Sequence, residues 1–333
     1  MKNYQTHVGI DISKDKLDVV VLQKGELPGS HFIVENTISG VKKIIKSLGK
    51  EVSLESVLFC CENTGVYTFP LSMTLSKLEV DYWIVPAIEI KRSKGIARGK
   101  SDKIDARDIA LYSMRNIDKL SLSKLAEQDI IQLKLLYSER EKVMKAIRIF
   151  ESSSEIEGLV PKRLSRAVMS VNQSTIKGLR KTLRSLEEKI NGVVRANPQL
   201  HQQMQVIRTI PGVGEQTALY MIIATKGFTA FENWRKFACY AGVAPFEHTS
   251  GTSIRKKNKV SHFADKKVKS LLQMCVLSTI RYDNQIAAYY HRKKAEGKHT
   301  MLVMNNVRCK IISRIFAVVE RQTPYVNTFK FAG

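Results

Sequence analysis

The sequence predicts an α/β domain, a mixed sheet flanked by helices, followed by a longer and mostly helical region. Three observations lead there. Strand-like runs are confined to the first 85 of 333 residues, helical periodicity takes over from Leu120 onward, and the charge changes from nearly neutral to strongly basic along the chain.

Thr6 to Ile12 and Lys16 to Leu22 read as two strands, with the polar Ser13-Lys14-Asp15 as the turn between them. His31 to Glu35 is a third strand. Ser39 to Leu48 carries Val41, Ile44, Ile45 and Leu48 at helical spacing, and Gly49 marks its stop. Ser56 to Cys61 is a short apolar strand, Tyr67 to Leu78 reads as helix, and Asp81 to Val85 is a fifth strand ended by Pro86. Three consecutive strands, then helices alternating with two more, is the element order of the ribonuclease H-like fold.

Beyond Leu120 the residues Leu133, Leu136, Val143, Ile147 and Phe150 form one stripe, interrupted by Arg140. After a break at Gly158-Leu159-Val160-Pro161, the residues Ile176, Leu179, Leu183, Leu186, Ile190 and Val193 recur at alternating spacings of three and four. That is an a/d heptad seam. Two long helices with these patterns fit an antiparallel coiled-coil hairpin, a self-association arm or two members of an ordinary bundle. The last third opens with Ile210-Pro211-Gly212-Val213-Gly214 leading into a helix from Glu215 to Ile223. Phe231 to Tyr240, Asp265 to Ile280 and Leu302 to Glu320 read as further helices, and Glu247 to His262 as a polar, basic loop. The expected domains are therefore residues 1–118, 119–200 and 201–333.

Composition narrows the function. With 44% apolar and 26% charged residues the chain is a folded globular protein. No apolar run approaches the roughly 18 residues that cross a bilayer, and the N-terminus has no signal-like stretch, so a cytosolic protein without membrane contact is expected. The five cysteines include no Cys-x-x-Cys pair and read as reduced small hydrophobes. The chain carries 54 Lys and Arg against 31 Asp and Glu, a net charge of +23. Residues 1–118 contribute +2, residues 119–200 contribute +7 and residues 201–333 contribute +14. A polyanionic partner, nucleic acid first, is expected on the C-terminal two-thirds.

Asp11 lies within the apolar strand Val8-Gly9-Ile10-Asp11-Ile12. A carboxylate there is costly to bury unless it is paired or ligates a cation. Glu62 follows the strand ending Cys60-Cys61 and begins Glu62-Asn63-Thr64-Gly65. Asp102 and Asp105, in Lys100-Ser101-Asp102-Lys103-Ile104-Asp105-Ala106, share one helix face. Each alone reads as a surface acid or a helix cap. Together they form a hard-oxygen set suited to one or two Mg²⁺ ions, with Mn²⁺ an acceptable substitute, and two such ions can assist phosphodiester chemistry.

These three segments resemble the DEDD transposases of insertion sequences, recombinases with a RuvC-like N-terminal domain related to Piv-type DNA invertases. Ile210-Pro211-Gly212-Val213-Gly214, Phe237-Ala238-Cys239-Tyr240-Ala241-Gly242-Val243-Ala244-Pro245 and His248-Thr249-Ser250-Gly251 are similar to that family's C-terminal domain. The resemblance implies a metal-binding quartet of Asp11, Glu62, Asp102 and Asp105, and Ser250 as a nucleophile forming a phosphoserine intermediate. It also implies a non-coding bridge RNA that pairs with donor and target DNA, a homo-oligomer (dimer or tetramer), and a place in the bacterial cytosol and nucleoid.

From its own residues Ser250 is less distinctive. A free hydroxyl is a poor nucleophile without a base or metal, and its segment also reads as a solvated loop in which Thr249 and Ser253 are decoys and His248 a polar neighbour. Arg255, Lys256, Lys257 and Lys259 follow closely and are candidate phosphate contacts. The Gly212–Gly214 turn resembles a helix-hairpin-helix module, whose backbone N–H groups meet phosphate at a helix N-terminus. Arg292, Lys293 and Lys294 beside Tyr289 and Tyr290 fit either stacking and phosphate contacts or a packed helix end with solvated charges. Three functions remain open on residues alone: a DNA recombinase using Ser250, a RuvC-like metal nuclease needing only the acids, and a non-catalytic nucleic-acid binder. A sugar-kinase or actin-like reading of Gly9-Ile10-Asp11-Ile12 lacks a second glycine-rich nucleotide loop.

Overall fold

A run of β-branched and apolar residues forms β1 (Thr6–Ile12), and the polar Ser13-Lys14-Asp15 turns the chain back into β2 (Lys16–Gln23). Ser13 closes that turn: its N–H and its Oγ both donate to the Lys16 carbonyl, at 3.0 and 2.9 Å. The structure, a computed structural model, describes residues 2–23, 29–49, 52–93, 101–152, 159–244, 246–250, 254–259 and 264–327. It divides into two compact units, Met1–Leu125 and Ala126–Gly333.

The first unit continues through β3 (Ser30–Glu35), α1 (Ile38–Ser47), β4 (Val57–Glu62), α2 (Phe69–Lys77), β5 (Tyr82–Val85), α3 (Ala87–Ser93) and α4 (Asp102–Arg115). The strand order is β3-β2-β1-β4-β5, with β1–β2 and β2–β3 antiparallel and β1–β4 and β4–β5 parallel. This is the mixed five-stranded sheet expected from the sequence. Its central strands read as near-continuous apolar runs because both faces are covered. One face packs Val8, Ile10, Leu17, Val19 and Phe59 against Val41 and Ile44 of α1 and Leu71 and Leu75 of α2. The other packs Val20 and Leu22 against Ala106 and Ala110 of α4, and Leu58, Cys60 and Trp83 against Ile90, Ile109 and Tyr112.

Gly9 sets how closely α4 approaches the sheet. A Cβ built on Gly9 would lie 2.2 Å from the Ala106 carbonyl oxygen and 2.3 Å from the Ala110 nitrogen. Glycine on the strand and alanines on the helix therefore let the two backbones touch.

The second unit holds α5 (Gln128–Ser152), α6 (Lys162–Ala196), α7 (Pro198–Arg208), α8 (Glu215–Ala224), α9 (Trp234–Tyr240), β6 (Phe246–Ser250), β7 (Ile254–Lys259), α10 (Lys266–Tyr282), α11 (Asn284–Ala295) and α12 (Thr300–Arg321). The long helices α5 and α6 run antiparallel. Arg140 pairs with Glu187 at 2.9 Å while Arg180 pairs with Glu151 at 2.8 Å, so position rises along one helix as it falls along the other. Of the heptad residues, Ile190 is buried, and Ile176, Leu179, Leu183, Leu186 and Val193 are half-buried. The base of this pair joins the C-terminal core: Ile130, Leu133, Tyr137, Ile190 and Val194 pack in one cluster with Ile207, Leu219, Phe237, Val276 and Ile311.

Several elements differ from the sequence reading, among them α3 and α7, which it does not contain. The stretch expected as a loop from Glu247 to His262 contains the antiparallel pair β6–β7, with Ser250 opposite Ile254 and Thr249 opposite Arg255. Its polar composition conceals a strand signal that rests on little more than Phe246, Thr249 and Ile254. The helix α11 is also additional. Ile286 is its one buried residue, so it has almost no apolar period to read. All five cysteines are free, and Cys60, Cys61 and Cys275 are buried. Burial pushes the Cys61 thiol up to about 12. Among the described residues no helix is long and apolar enough to cross a membrane.

Gly9→Ala should destabilise the first unit by about 2 kcal/mol in denaturant unfolding, because backbone has no room to yield. Gly192→Ala, in α6 with no atom within 4 Å of the added Cβ, should instead stabilise by about 1 kcal/mol.

Candidate active site

Strand parity brings the acids to one face of the sheet. Side chains two residues apart along a strand point the same way. Asp11 therefore shares the α4 face with Gly9, and Glu62, ending β4, shares it with Leu58 and Cys60. The register Ile10↔Cys61 sets Asp11 and Glu62 side by side on adjacent strands. Asp102 and Asp105 occupy the first turn of α4, where the helix dipole favours negative charge, and the Ser101 Oγ caps that turn by accepting from the Ile104 N–H at 3.3 Å. Because Gly9 holds α4 against β1, this acidic turn faces the end of β1.

The acids feel one another. Burial pushes the Asp11 carboxyl up to about 6, and the negative charges of Asp105, Asp102, Asp18 and Glu62 add to the effect. Asp18 is a fifth acid that the sequence reading passed over. It lies opposite Asp11 in the β1–β2 register, shares the face of Val20, and has a side chain only 5% exposed. Like Asp11, Asp18 is a carboxylate inside an apolar strand, in Leu17-Asp18-Val19-Val20. Its partners are Lys16 Nζ at 2.9 Å and His31 Nε2 at 3.1 Å. The same Lys16 ammonium reaches Asp102 Oδ2 at 2.7 Å, and these two hydrogen-bonded carboxylates raise its pKa above the usual lysine range.

Among the described residues, no three His, Cys, Asp or Glu side chains stand close enough together to hold a metal ion as they are. The donor set is nonetheless all carboxylate oxygen, the chemistry that Mg²⁺ and Mn²⁺ prefer. Its crowding onto Asp11 is the electrostatic pattern that a bound cation would relieve.

Ser250 belongs to the second unit, at the last position of β6. On β7, Arg255 lies opposite Thr249, Lys256 opposite His248 and Lys259 opposite Phe246, with Lys257 between them. Gly251 and Ser253 lie outside the described residues. The hairpin is rooted at a clamp. The Asp265 N–H donates to the Tyr240 carbonyl at 3.1 Å, while the Asp265 carboxylate caps α10 through the Lys267 and Val268 N–H groups. The hydroxyls of Tyr220 and Tyr240 donate to the same carboxylate, each at 3.1 Å.

The two turn glycines differ. Gly212 has φ +83° and sits against α10, where an added Cβ would lie 2.3 Å from Thr279 Oγ1, whereas Gly214 opens α8 with free space around its Cα. At the end of α11, Arg292 lies over the Tyr289 ring, Lys293 pairs with Glu296 at 2.7 Å, and Lys294 donates to Thr300. Tyr289 and Tyr290 are half-buried against the core.

A mixed sheet with acidic side chains gathered between its central strand and a covering helix defines an α/β fold with an acidic face. Residues 8–151 match a DEDD-type family model described as a transposase, and residues 204–291 match the transposase IS116/IS110/IS902 family. A pilin gene-inverting protein of Moraxella bovis is 24% identical over 326 residues, covering 96% of this chain and 98% of that protein. An uncharacterized 43.6 kDa protein of insertion element IS110 from Streptomyces coelicolor is 29% identical over 153 residues, 46% of this chain and 36% of its own length. The transposase of insertion sequence element IS1111A from Coxiella burnetii is 25% identical over 184 residues, 47% of this chain and 48% of its own. The chain belongs to the IS110 family of transposases.

Asp11 also makes stability depend on pH. Its folded pKa of about 6 lies above the ordinary 3.8, so its contribution favours folding fully below the ordinary value and is lost as pH rises through about 6. In calorimetry, Asp11→Asn should raise the unfolding temperature of the first unit at about pH 8 and remove this component of its fall across the window. Asp265→Ala should cost the second unit about 2–4 kcal/mol in the same measurement, through one lost cap and two unpaired tyrosine hydroxyls.

Proposed function

We propose that this enzyme is the transposase of an insertion sequence, cutting and rejoining DNA on a RuvC-like first unit and a serine-bearing second unit. The observation that carries this reading is the concentration of acidic charge around Asp11. Asp11, Glu62, Asp102 and Asp105 would hold one or two Mg²⁺ ions, or Mn²⁺, which would polarise the scissile phosphate and offset the charge that develops on its oxygens.

Ser250 is the nucleophile. Its Oγ bonds to phosphorus as the phosphorus–oxygen bond to the leaving strand breaks; the serine proton passes to a base and the leaving oxygen takes up a proton. Attack by the hydroxyl of the incoming strand reverses these changes and regenerates the serine. The energy of the phosphodiester is thereby kept, which separates exchange from hydrolysis. The likeness to a pilin gene-inverting protein along nearly the whole of both chains supports strand exchange as the outcome.

Donor DNA, target DNA and a non-coding bridge RNA are the partners, and the RNA reads the sequence by base pairing. The basic second unit contacts phosphates without a base code, through β7, the Gly212–Gly214 turn as a helix-hairpin-helix element, and Arg292 to Lys294. The α5–α6 coiled coil joins copies into a dimer or tetramer. Affinity for nucleic acid should then fall steeply with salt.

The test is a denaturing-gel assay with labelled donor and target DNA, Mg²⁺ and RNA co-purified from the protein's own locus. The wild type should give a protease-sensitive protein–DNA adduct and exchanged strands, and both should fall by at least about 10³-fold in Ser250→Ala and Asp102→Ala. Cutting that survives Ser250→Ala with no adduct would make the protein a metal nuclease instead.

A further inference from the structure

Two facts about the acidic cluster pull against each other. Five carboxylates bear on one face of the first unit, yet among the described residues no three of them close into a ligand set. Lys16 reconciles them. Its ammonium lies between Asp18 Oδ2 at 2.9 Å and Asp102 Oδ2 at 2.7 Å, joining an acid of β2 to the acid that begins α4. Asp18 is the fixed end of this bridge: it is almost fully buried, and His31 Nε2 holds its other oxygen at 3.1 Å. The other two groups are adjustable. The Asp102 side chain is 54% exposed and the Lys16 side chain 43% exposed.

We propose that Lys16 is a tethered cation that occupies the Asp102 arm of the acidic site and must release it before a divalent ion binds there. This rests on the reading of Asp11, Glu62, Asp102 and Asp105 as metal ligands. The electrostatics are direct. A monovalent ammonium satisfies two carboxylates in the absence of metal, so the cluster folds without an uncompensated group at Asp18 or Asp102. A divalent ion offers Asp102 a stronger partner but must compete with Lys16 and meets its positive charge nearby. Once Asp102 is surrendered, the ammonium keeps only Asp18 and has donors left over. A DNA phosphate arriving at the site is the anion whose chemistry suits them, since lysine binds phosphate as a mobile point charge. Lys16 thus makes metal loading and backbone binding assist each other: phosphate draws the ammonium from Asp102, and metal frees the ammonium for phosphate.

Lys16 is a positioning residue in this scheme, so its test reads metal affinity rather than turnover. Mn²⁺ binding to the full-length protein would be measured by titration calorimetry and by electron paramagnetic resonance of free Mn²⁺, with and without a short duplex DNA. Lys16→Met keeps the aliphatic stem and removes the charge; Lys16→Gln keeps a neutral donor. Both should bind Mn²⁺ about fivefold to tenfold more tightly than the wild type. Duplex DNA should tighten Mn²⁺ binding to the wild type and leave both variants nearly unchanged. Equal or weaker binding by both variants, with circular dichroism like the wild type, would overturn the proposal while leaving the metal site intact. Absence of Mn²⁺ binding in wild type and variants alike would instead overturn the reading of the four acids as ligands.

Discussion

The direct seating of α4 on β1 is the contact on which the rest of the first unit depends. A helix normally stands off a sheet by the length of its side chains. Here Gly9 and the alanines at 106 and 110 remove those side chains from the contact. The acidic first turn of α4 then lies near the end of the central strand, and Asp102 and Asp105 enter the field of Asp11. Replacing Gly9 by any larger residue would lift the helix and separate the acids that the strands and the helix contribute. Packing and chemistry are set by one residue.

That arrangement creates an electrostatic cost. Burial first, and the neighbouring negative charges after it, push the Asp11 carboxyl up. The protein offsets part of this internally, with Lys16 and His31 on Asp18. The remainder is left at Asp11, in the place where cation-dependent chemistry would use it.

Much of this was legible in the sequence because both signals are local. Short apolar runs bounded by polar turns mark every strand of the first sheet to within a residue or two, and Asp11 stands out as a charge inside one of them. Asp18 carries the same signal, and only the register to Asp11 reveals what it does. The Lys16 bridge to Asp102 spans 86 residues and depends on how α4 crosses the sheet, which no local pattern encodes. In the second unit most helices are marked by apolar spacing, whereas α11 and the β6–β7 pair are not. The β6–β7 sequence is mostly polar, so it carries little apolar alternation to read. Ser250 was therefore located by motif and not by its structural setting.

The distribution of charge divides the work between the two units. An acidic site repels the phosphate it must act on, so binding energy has to come from elsewhere in the protein. Residues 119–333 carry 37 basic and 16 acidic side chains, whereas residues 1–118 carry 17 and 15. Ser250 belongs to that basic second unit, where the Asp265 N–H donates to the Tyr240 carbonyl and the Tyr220 and Tyr240 hydroxyls donate to the Asp265 carboxylate. Under the proposed chemistry the serine lies in the basic second unit and the four acids in the nearly neutral first unit, so neither unit by itself holds both kinds of group.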